Sequence, residues 1–319
     1  MGIALVGCGR WGRNLARNLM ALGELRMIVD PFLSESQLPD GVSAPIERHL
    51  SAALESDSIA GVVIAAPAVD HAQLAKKALL AGKHVFVEKP LAMTVDDAEE
   101  IAALARERAL TLMVGHLLQY HPGFLRLKQG VRAGEIGMVR HIASNRLNPG
   151  AIRSEENALW SLAPHDFSMI LGLAGSYPEA VSSLAIEIVT PGLPDRFVTS
   201  MKFANSVTAT ADVSWLSPYK EHRLTVLGEK GALILDDHAA DPSRRLMLYK
   251  DFVDRTGAQP AFRKTDGESL PFDPKEPLRA EMEAFVSATR GQPDCVTGPE
   301  EAIPVLRLLT EASKATTWG

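Results

Sequence analysis

The sequence predicts an N-terminal α/β domain with a doubly wound parallel sheet and a C-terminal α+β domain with a large, mostly antiparallel open sheet. Up to about residue 118, short apolar strands alternate with helical patterns, and a glycine-rich turn follows the first strand. Closely spaced strands joined by tight turns fill much of the remainder. A length of 319 residues suits two domains, which we place at 1–118 and 119–319.

In the N-terminal domain, each apolar strand is followed by a helical stretch with recognisable ends. Thr94, with acids at positions 96 and 97, is a good helix start, and Gly23 and Gly82 are typical helix stops. This alternation favours parallel strands, since parallel neighbours need a crossover connection. The predicted strands are Ile3–Val6, Leu25–Val29, Gly61–Ala65, His84–Val87 and Thr111–Val114, and the helices are Gly12–Leu22, Ala52–Glu55, Ala72–Ala81 and Thr94–Arg108.

The C-terminal part begins with a linking helix at Pro122–Ala133 and then becomes rich in strands. One helix, Ala163–Leu173, interrupts the strands, and residues 237–276 are predicted to be a long surface excursion because they contain several Pro, Gly and Asp residues. The predicted strands are Val139–Leu147, Glu179–Val189, Phe197–Phe203, Val207–Trp215, His222–Leu227 and Ala232–Leu235, and the closing helices are Leu278–Arg290 and Pro299–Lys314.

The glycine-rich turn has the pattern G-x-G-x-x-G, formed by Gly7, Gly9 and Gly12. Such a turn lets a pyrophosphate approach the backbone at a helix N-terminus. The next strand ends at Asp30, and a spacing of about twenty residues suits a carboxylate that binds the adenosine ribose. These features predict an NAD(H) site and disfavour NADP, whose 2′-phosphate would meet the carboxylate. The intervening residues Arg10 and Trp11 are included among the expected cofactor contacts.

Composition excludes several other classes of protein. The net charge of −6 and the lack of a basic block argue against nucleic acid as a partner. The two cysteines, Cys8 and Cys295, do not make a disulfide framework, and the first strand leaves no room for a signal peptide. No apolar run approaches the roughly 20 residues of a membrane span. We expect a cytoplasmic protein with no membrane association and no metal site.

Two further clusters follow strands whose carboxyl ends share one edge of the predicted sheet. Ala66 and Pro67, with His71 shortly after, could form a wall against the cofactor, although an ordinary strand-to-helix turn explains them equally well. Glu88-Lys89-Pro90 places a lysine beside the expected nicotinamide, where it could hydrogen-bond a substrate hydroxyl and transfer its proton. A cis Lys89–Pro90 bond would fix the direction of that lysine.

The lone helix of the C-terminal domain carries a third cluster, in which His165 is the chemically informative residue. Histidine exchanges protons near neutral pH, so we predict a role for His165 in catalysis or substrate contact. Trp160 precedes it by one and a half turns, and Asp166 follows directly.

These motifs together resemble the Gfo/Idh/MocA oxidoreductase family over nearly the whole chain. The glycine loop, the Glu88-Lys89-Pro90 motif and Gly134-Glu135-Ile136-Gly137 all match, as does a W-x4-K-x2-R-x2-V-x-G-x2-G pattern from Trp215 to Gly231. The resemblance implies a Rossmann domain that binds NAD, a substrate between the domains, and a homodimer or homotetramer formed through the open sheet. It implies reversible hydride transfer at a sugar carbinol, with Lys89 and His165 as the catalytic residues.

The chain departs from the family pattern at Ser161, where many members carry an aspartate. Serine lacks the charge that would raise the pKa of a neighbouring histidine. Either Asp166 or another acid replaces it, or Lys89 and His165 share the proton transfer alone. The segment from Asn157 to Asp166 looks like a subgroup found with nucleotide-sugar and surface-polysaccharide enzymes.

The leading hypothesis is therefore an NAD-dependent dehydrogenase of a nucleotide sugar. A free-sugar or inositol dehydrogenase and a non-catalytic NAD(H)-sensing regulator are the alternatives. A diphosphate substrate would need cations in the cleft, and solvated basic residues on the sheet are the competing explanation for each candidate. The candidate substrate contacts are Tyr120, Arg146, Arg153, Trp160, Ser161 and His165, with His121, Lys220 and Arg223 as further cleft residues.

Overall fold

The computed structural model describes residues 1–150, 152–254, 259–292 and 295–314, and the backbone of 316–317. The chain divides into two compact units, Met1–Tyr120 with Lys275–Leu306, and His121–Pro274 with Arg307–Gly319. The segment 275–306, which the sequence assigned to the second domain, therefore belongs to the first unit.

The first unit contains a parallel sheet with helical crossovers, as the strand-helix alternation predicts. The strand order is β3-β2-β1-β4-β5-β6, so the direction of winding changes between β1 and β4, where open sheets of this kind bind ligands. The elements are β1 (Gly2–Val6), α1 (Gly12–Ala21), β2 (Leu25–Val29), β3 (Ile46–Glu47), α2 (Ser51–Leu54), β4 (Ile59–Ile64), α3 (His71–Leu80), β5 (His84–Val87), α4 (Val95–Glu107) and β6 (Leu112–Val114).

The second unit begins with α5 (Pro122–Arg132) and continues with strands around one long helix. Its elements are β7 (Val139–Pro149), α6 (Ala158–Ala174), β8 (Ala180–Ile186), β9 (Arg196–Lys202), β10 (Thr208–Ser214), β11 (Leu216–Gly228), β12 (Gly231–Asp236), β13 (Leu246–Lys250), β14 (Val253–Asp254), β15 (Ala261–Phe262) and β16 (Glu268–Ser269).

Three elements close the chain: α7 (Pro277–Ala288), α8 (Pro299–Ala312) and β17 (Thr316–Thr317). Within the described residues, the large sheet of the second unit has nine strands in the order β16-β13-β12-β11-β7-β10-β9-β8-β17. The β7–β10 and β8–β17 pairs are parallel and the others are antiparallel, so the prediction of a mostly antiparallel sheet is confirmed.

Helix α7 belongs to the first unit because one of its faces is part of that unit's core. Leu278, Met282 and Phe285 are buried there, at the i, i+4, i+7 spacing of one helix face. The Phe285 ring meets the Phe86 ring of β5 edge-to-face, with 5.8 Å between centroids. Because α7 and β5 lie far apart in the sequence, local sequence patterns did not predict this contact.

Two other predictions about the elements need correction. Residues 237–276 are not wholly a surface excursion, because β13 lies within them and buries Leu246, Met247 and Leu248 against β12. Helix α6 begins at Ala158 rather than Ala163, because Asn157 caps it by accepting a hydrogen bond from the Trp160 amide. Every helix in the described part of the chain is too short or too polar to span a membrane.

Candidate active site

The glycine loop between β1 and α1 is shaped by close backbone contacts. Gly7 has a φ of +87°, and a Cβ there would lie 2.7 Å from the Ala65 carbonyl oxygen. A Cβ at Gly12 would lie 2.2 Å from the Gly7 carbonyl oxygen. Both positions therefore require glycine for the fold itself.

Gly9 is different, because a Cβ there would have no heavy atom of the described residues within 4 Å. The open space lies before the N-terminus of α1, whose first turn has no acid. An open cradle at the positive end of a helix dipole fits a pyrophosphate. The fold tolerates a side chain at this position, but a bound dinucleotide would not.

Asp30 follows β2 and organises two turns at once. Its Oδ2 accepts a hydrogen bond of 2.9 Å from the Cys8 amide, and its Oδ1 accepts bonds from the Phe32 and Leu33 amides. The carboxylate thereby ties the glycine loop to the turn after β2. It keeps unused acceptor capacity, since each carboxylate oxygen has two lone pairs. That capacity suits the ribose hydroxyls expected at this position.

The turns after β4 and β5 are joined by His71. Its ring is 1% exposed, with Nδ1 2.7 Å from the Pro90 carbonyl oxygen and Nε2 2.9 Å from the Ala66 carbonyl oxygen. Burial lowers the pKa of His71. Through these two contacts His71 holds the wall around Ala66 and Pro67 against the Lys89–Pro90 turn. A contact between His71 and the cofactor stays a prediction.

The Lys89–Pro90 peptide bond is cis, as the sequence analysis anticipated. Lys89 follows the last residue of β5 and is half-buried, while Pro90 is buried. The glycine loop and this turn both lie at the carboxyl edge of the parallel sheet, because β1, β4 and β5 run in the same direction. The structure therefore brings the glycine loop and Lys89 to one edge of one sheet.

Glu88 was expected to contact the cofactor, but its side chain turns inward. It is 9% exposed, and its Oε1 accepts a 2.5 Å hydrogen bond from Trp11 Nε1. Gly115 leaves room for this carboxyl, since a Cβ there would lie 2.9 Å from Oε2. Burial raises the pKa of Glu88 to about 7, against the lowering effects of Trp11 and Lys89. Trp11, also predicted as a cofactor contact, uses its indole N–H on Glu88.

Sequence reasoning missed three titratable residues behind Glu88. Glu281 of α7 is fully buried, and neither carboxyl oxygen has a hydrogen-bond partner among the described residues. Burial, then Glu88 and Glu301, raise the pKa of Glu281 well above its usual range. His116 Nδ1 lies 2.6 Å from Glu301 Oε2. The signal for Glu281 was present, because it shares the apolar face of Leu278 and Met282.

In the second unit, a buried ion pair anchors α6 to β7. Asp166 is fully buried, and its oxygens accept hydrogen bonds of 2.5 Å from Ser144 Oγ and 2.6 Å from Arg146 Nε. Removing one partner of such a pair typically costs about 3–5 kcal/mol. Arg146 thus serves the interior of the second unit through Nε rather than standing free for a diphosphate. His165, the neighbour of Asp166 on α6, is half-buried.

The remaining predicted substrate residues have varied surroundings. Tyr120 lies in the core of the first unit, and its hydroxyl is 3.2 Å from Thr297 Oγ1. Trp160 Nε1 donates to Ser313 Oγ at 2.9 Å, and Ser161 is buried. Arg153 is exposed and pairs with Glu156. No described residues form a group of three or more potential metal ligands.

Comparison with known proteins supplies the family. The model described as the oxidoreductase family's NAD-binding Rossmann fold matches residues 1–116, and that of the GFO/IDH/MocA C-terminal domain matches 124–234. The chain belongs to the Gfo/Idh/MocA family. Membership makes it an oxidoreductase with an NAD-binding domain, in agreement with the glycine cradle and Asp30.

Three known proteins illustrate what the chain is similar to. UDP-N-acetylglucosamine 3-dehydrogenase of Acidithiobacillus ferrooxidans is 25% identical over 90% of this chain and 88% of its own sequence. Its crystal structure has a TM-score of 0.84 at 23% identity, covering 99% and 97% of the two chains. Myo-inositol dehydrogenase Hyg17 of Streptomyces leeuwenhoekii is 28% identical over 73% of this chain and 76% of its own. GenD2 from gentamicin A biosynthesis, crystallised with NAD, has a TM-score of 0.82 at 24% identity and covers 99% and 93%.

Gly9→Ala tests the cradle directly. The added methyl group meets nothing in the protein, so we expect the urea midpoint to stay near that of the native protein. It occupies the space left for the pyrophosphate, so NAD affinity should fall at least about tenfold, a loss of about 1.4 kcal/mol. Fluorescence titration with NADH measures the affinity. Unchanged affinity would contradict the assignment of the cradle.

Glu281→Gln tests the neutral state of the buried carboxyl. A raised pKa means that the folded state holds the proton more tightly, so the native protein loses stability as pH rises above the unfolded value. Glutamine does not titrate, so at pH 8 the variant should be more stable than the native protein, by about 1.4 kcal/mol for each pH unit above the unfolded pKa over which the folded carboxyl keeps its proton. At pH 5 the difference should shrink.

Urea denaturation at both pH values gives this comparison, with exposed Glu107→Gln as the control. The control should show no pH-dependent difference from the native protein. A stability difference for Glu281→Gln that does not change between pH 5 and pH 8 would contradict the buried neutral acid.

Proposed function

We propose that this oxidoreductase transfers a hydride between NAD and a secondary carbinol of a nucleotide sugar. The observation that carries the proposal is the place of Lys89, which follows β5 at the same sheet edge as the glycine cradle. Its turn is held by Pro90, whose carbonyl His71 contacts. A lysine beside a dinucleotide site suits proton exchange with a substrate hydroxyl.

Lys89 would act on the carbinol oxygen in both directions. In oxidation, its neutral amine accepts the hydroxyl proton, and in reduction its ammonium group returns that proton. When bound, NAD supplies the carbon that accepts or returns the hydride. The role of His165 in proton transfer stays a prediction from the family resemblance, as does assembly through the open sheet.

A nucleotide sugar is favoured over other carbinols by the extent of similarity. The relative named for UDP-N-acetylglucosamine aligns with 90% of the chain, and the relative named for myo-inositol with 73%. The identity of the second is slightly higher, at 28% against 25%, so an inositol or free sugar is the second candidate. The buried pairing of Arg146 with Asp166 leaves any diphosphate contact to more exposed cations such as Arg153 and Lys220.

Lys89→Ala separates chemistry from cofactor binding. We expect kcat to fall by about 10²–10⁴-fold, the usual loss for a proton-transfer group, with NADH affinity nearly unchanged. Lys77→Ala, which removes an exposed lysine of α3, is the matched control.

The assay measures NADH formation with UDP- and dTDP-sugars, free N-acetylglucosamine, glucose and myo-inositol. Turnover only with the nucleotide sugars supports the proposal, and turnover only with free sugars or inositol supports the second candidate. Native turnover in Lys89→Ala would refute the role of the lysine. Tight NADH binding without turnover of any compound would favour a cofactor-sensing regulator.

A further inference from the structure

Four titratable side chains of the first unit interact with one another, beginning at the residue that precedes Lys89 in the chain. We call Glu88, His116, Glu281 and Glu301 the Glu88 cluster. They come from the ends of β5 and β6 and from helices α7 and α8, which the fold brings together from distant parts of the sequence. The proposed hydride transfer, as described above, assigns no task to any of them.

Glu88 occupies the end of the cluster next to Lys89 in the chain. Its carboxyl is held by the Trp11 indole on one side and lies against Gly115 on the other. The Trp11 contact engages only Oε1, and a carboxyl oxygen retains capacity beyond one accepted bond. The Lys89 backbone N–H also donates to this carboxyl. Both donors are neutral, so the carboxyl can gain or lose a proton without losing a charged hydrogen-bond partner.

The opposite end of the cluster reaches solvent. His116 is 3% exposed at its side chain, and it contacts Glu301, whose side chain is 20% exposed. Imidazole can receive a proton at one nitrogen and release it from the other. Its contact with Glu301 joins the buried imidazole to a carboxyl that reaches solvent.

Burial is what raises the pKa of Glu88, and Glu281 is a second buried acid of the same cluster. It is an acid buried without any hydrogen-bond partner among the described residues, and it interacts electrostatically with both Glu88 and Glu301. Two buried carboxyls in such an arrangement disfavour double ionisation. Natural proteins rarely leave a buried carboxyl unsatisfied without compensation, so its retention points to a function.

We propose that Glu88 stores the proton released in hydride transfer, by accepting it from Lys89. The inference rests on the proposed function. In oxidation, the hydroxyl O–H bond breaks as a proton passes to the Lys89 amine, and the C–H bond breaks as its electron pair leaves with the hydride to NAD. The Lys89 ammonium then gives one proton to the Glu88 carboxylate, and His116 and Glu301 pass it to solvent. The sum is a ketone, NADH and one proton.

The charge of the cofactor provides a readout that needs no substrate. The oxidised nicotinamide is cationic and the reduced one is neutral, so a nearby carboxyl should be more acidic with NAD⁺ than with NADH. The charged groups acting on Glu88 are Lys89 and His116, which favour its ionised form, while Glu88 in turn raises the pKa of Glu281. The pKa of Glu88 is about 7, so its protonation changes with pH in the neutral range.

The experiment counts protons released when saturating NAD⁺ or NADH binds the full chain, by calorimetry in buffers of different ionisation enthalpy. The native protein should release up to about half a proton more with NAD⁺ than with NADH at pH 7. Glu88→Gln, which can still accept the Trp11 hydrogen bond, should abolish this difference. Glu281→Gln and the exposed Glu107→Gln should retain it.

A difference that persists in Glu88→Gln, or that is lost only in Glu281→Gln, would overturn the proposal. If a variant folds poorly, the pH dependence in the native protein alone tests the proposal. The difference in proton release between NAD⁺ and NADH binding should disappear at pH 5 and at pH 9, where Glu88 has the same charge with either cofactor. A difference that grows steadily towards pH 9 would assign the proton to Lys89. Failure of every sugar in the turnover assay would instead refute the proposed function and leave the proton count unaffected.

Discussion

The close approach of backbone to backbone at the glycine loop is the constraint on which the rest of the site depends. Gly7 lies against the Ala65 carbonyl at the end of β4, and Gly12 lies against Gly7 itself. No side chain fits at either contact, so the loop can cross the sheet edge only with glycine there. This path brings the Cys8 amide to Asp30 and the Trp11 indole to Glu88. One packing contact therefore positions both the expected ribose acceptor and the carboxyl beside Lys89.

The interior behind this edge is built at a cost in stability. Two carboxyls, Glu88 and Glu281, are buried where apolar residues would pack without desolvation cost. Cores that violate the usual rule in this way tend to do so at functional sites. By contrast, the buried Asp166–Arg146 pair of the second unit satisfies its charges and holds α6 against β7. The first unit thus buries two carboxyls at a cost in stability, whereas the second unit buries an ion pair that joins two of its elements.

Local patterns in the sequence predicted the strand-helix alternation, the glycine loop, the place of Asp30 after β2 and the cis turn at Lys89–Pro90. They did not predict contacts between segments that lie far apart in the sequence. The packing of α7 in the first unit, the burial of Tyr120 and the hydrogen bond from Trp11 to Glu88 depend on tertiary contacts that no local period encodes. His71 and Arg146 were predicted to face ligands because a polar side chain near a sheet edge looks the same in sequence whether it bonds backbone, another side chain or a ligand. The apolar stripe around Glu281 was a usable signal.

The central claim, hydride transfer from a sugar carbinol at the Lys89 edge, is tested most directly by following the hydrogen itself. UDP-N-acetylglucosamine with deuterium at its ring carbinol carbons is incubated with the protein and NAD⁺, and the recovered cofactor is examined by mass spectrometry and NMR. The account predicts one deuterium per NADH, on the nicotinamide ring carbon that accepts the hydride. NADH formed without deuterium would contradict direct transfer from a sugar carbinol.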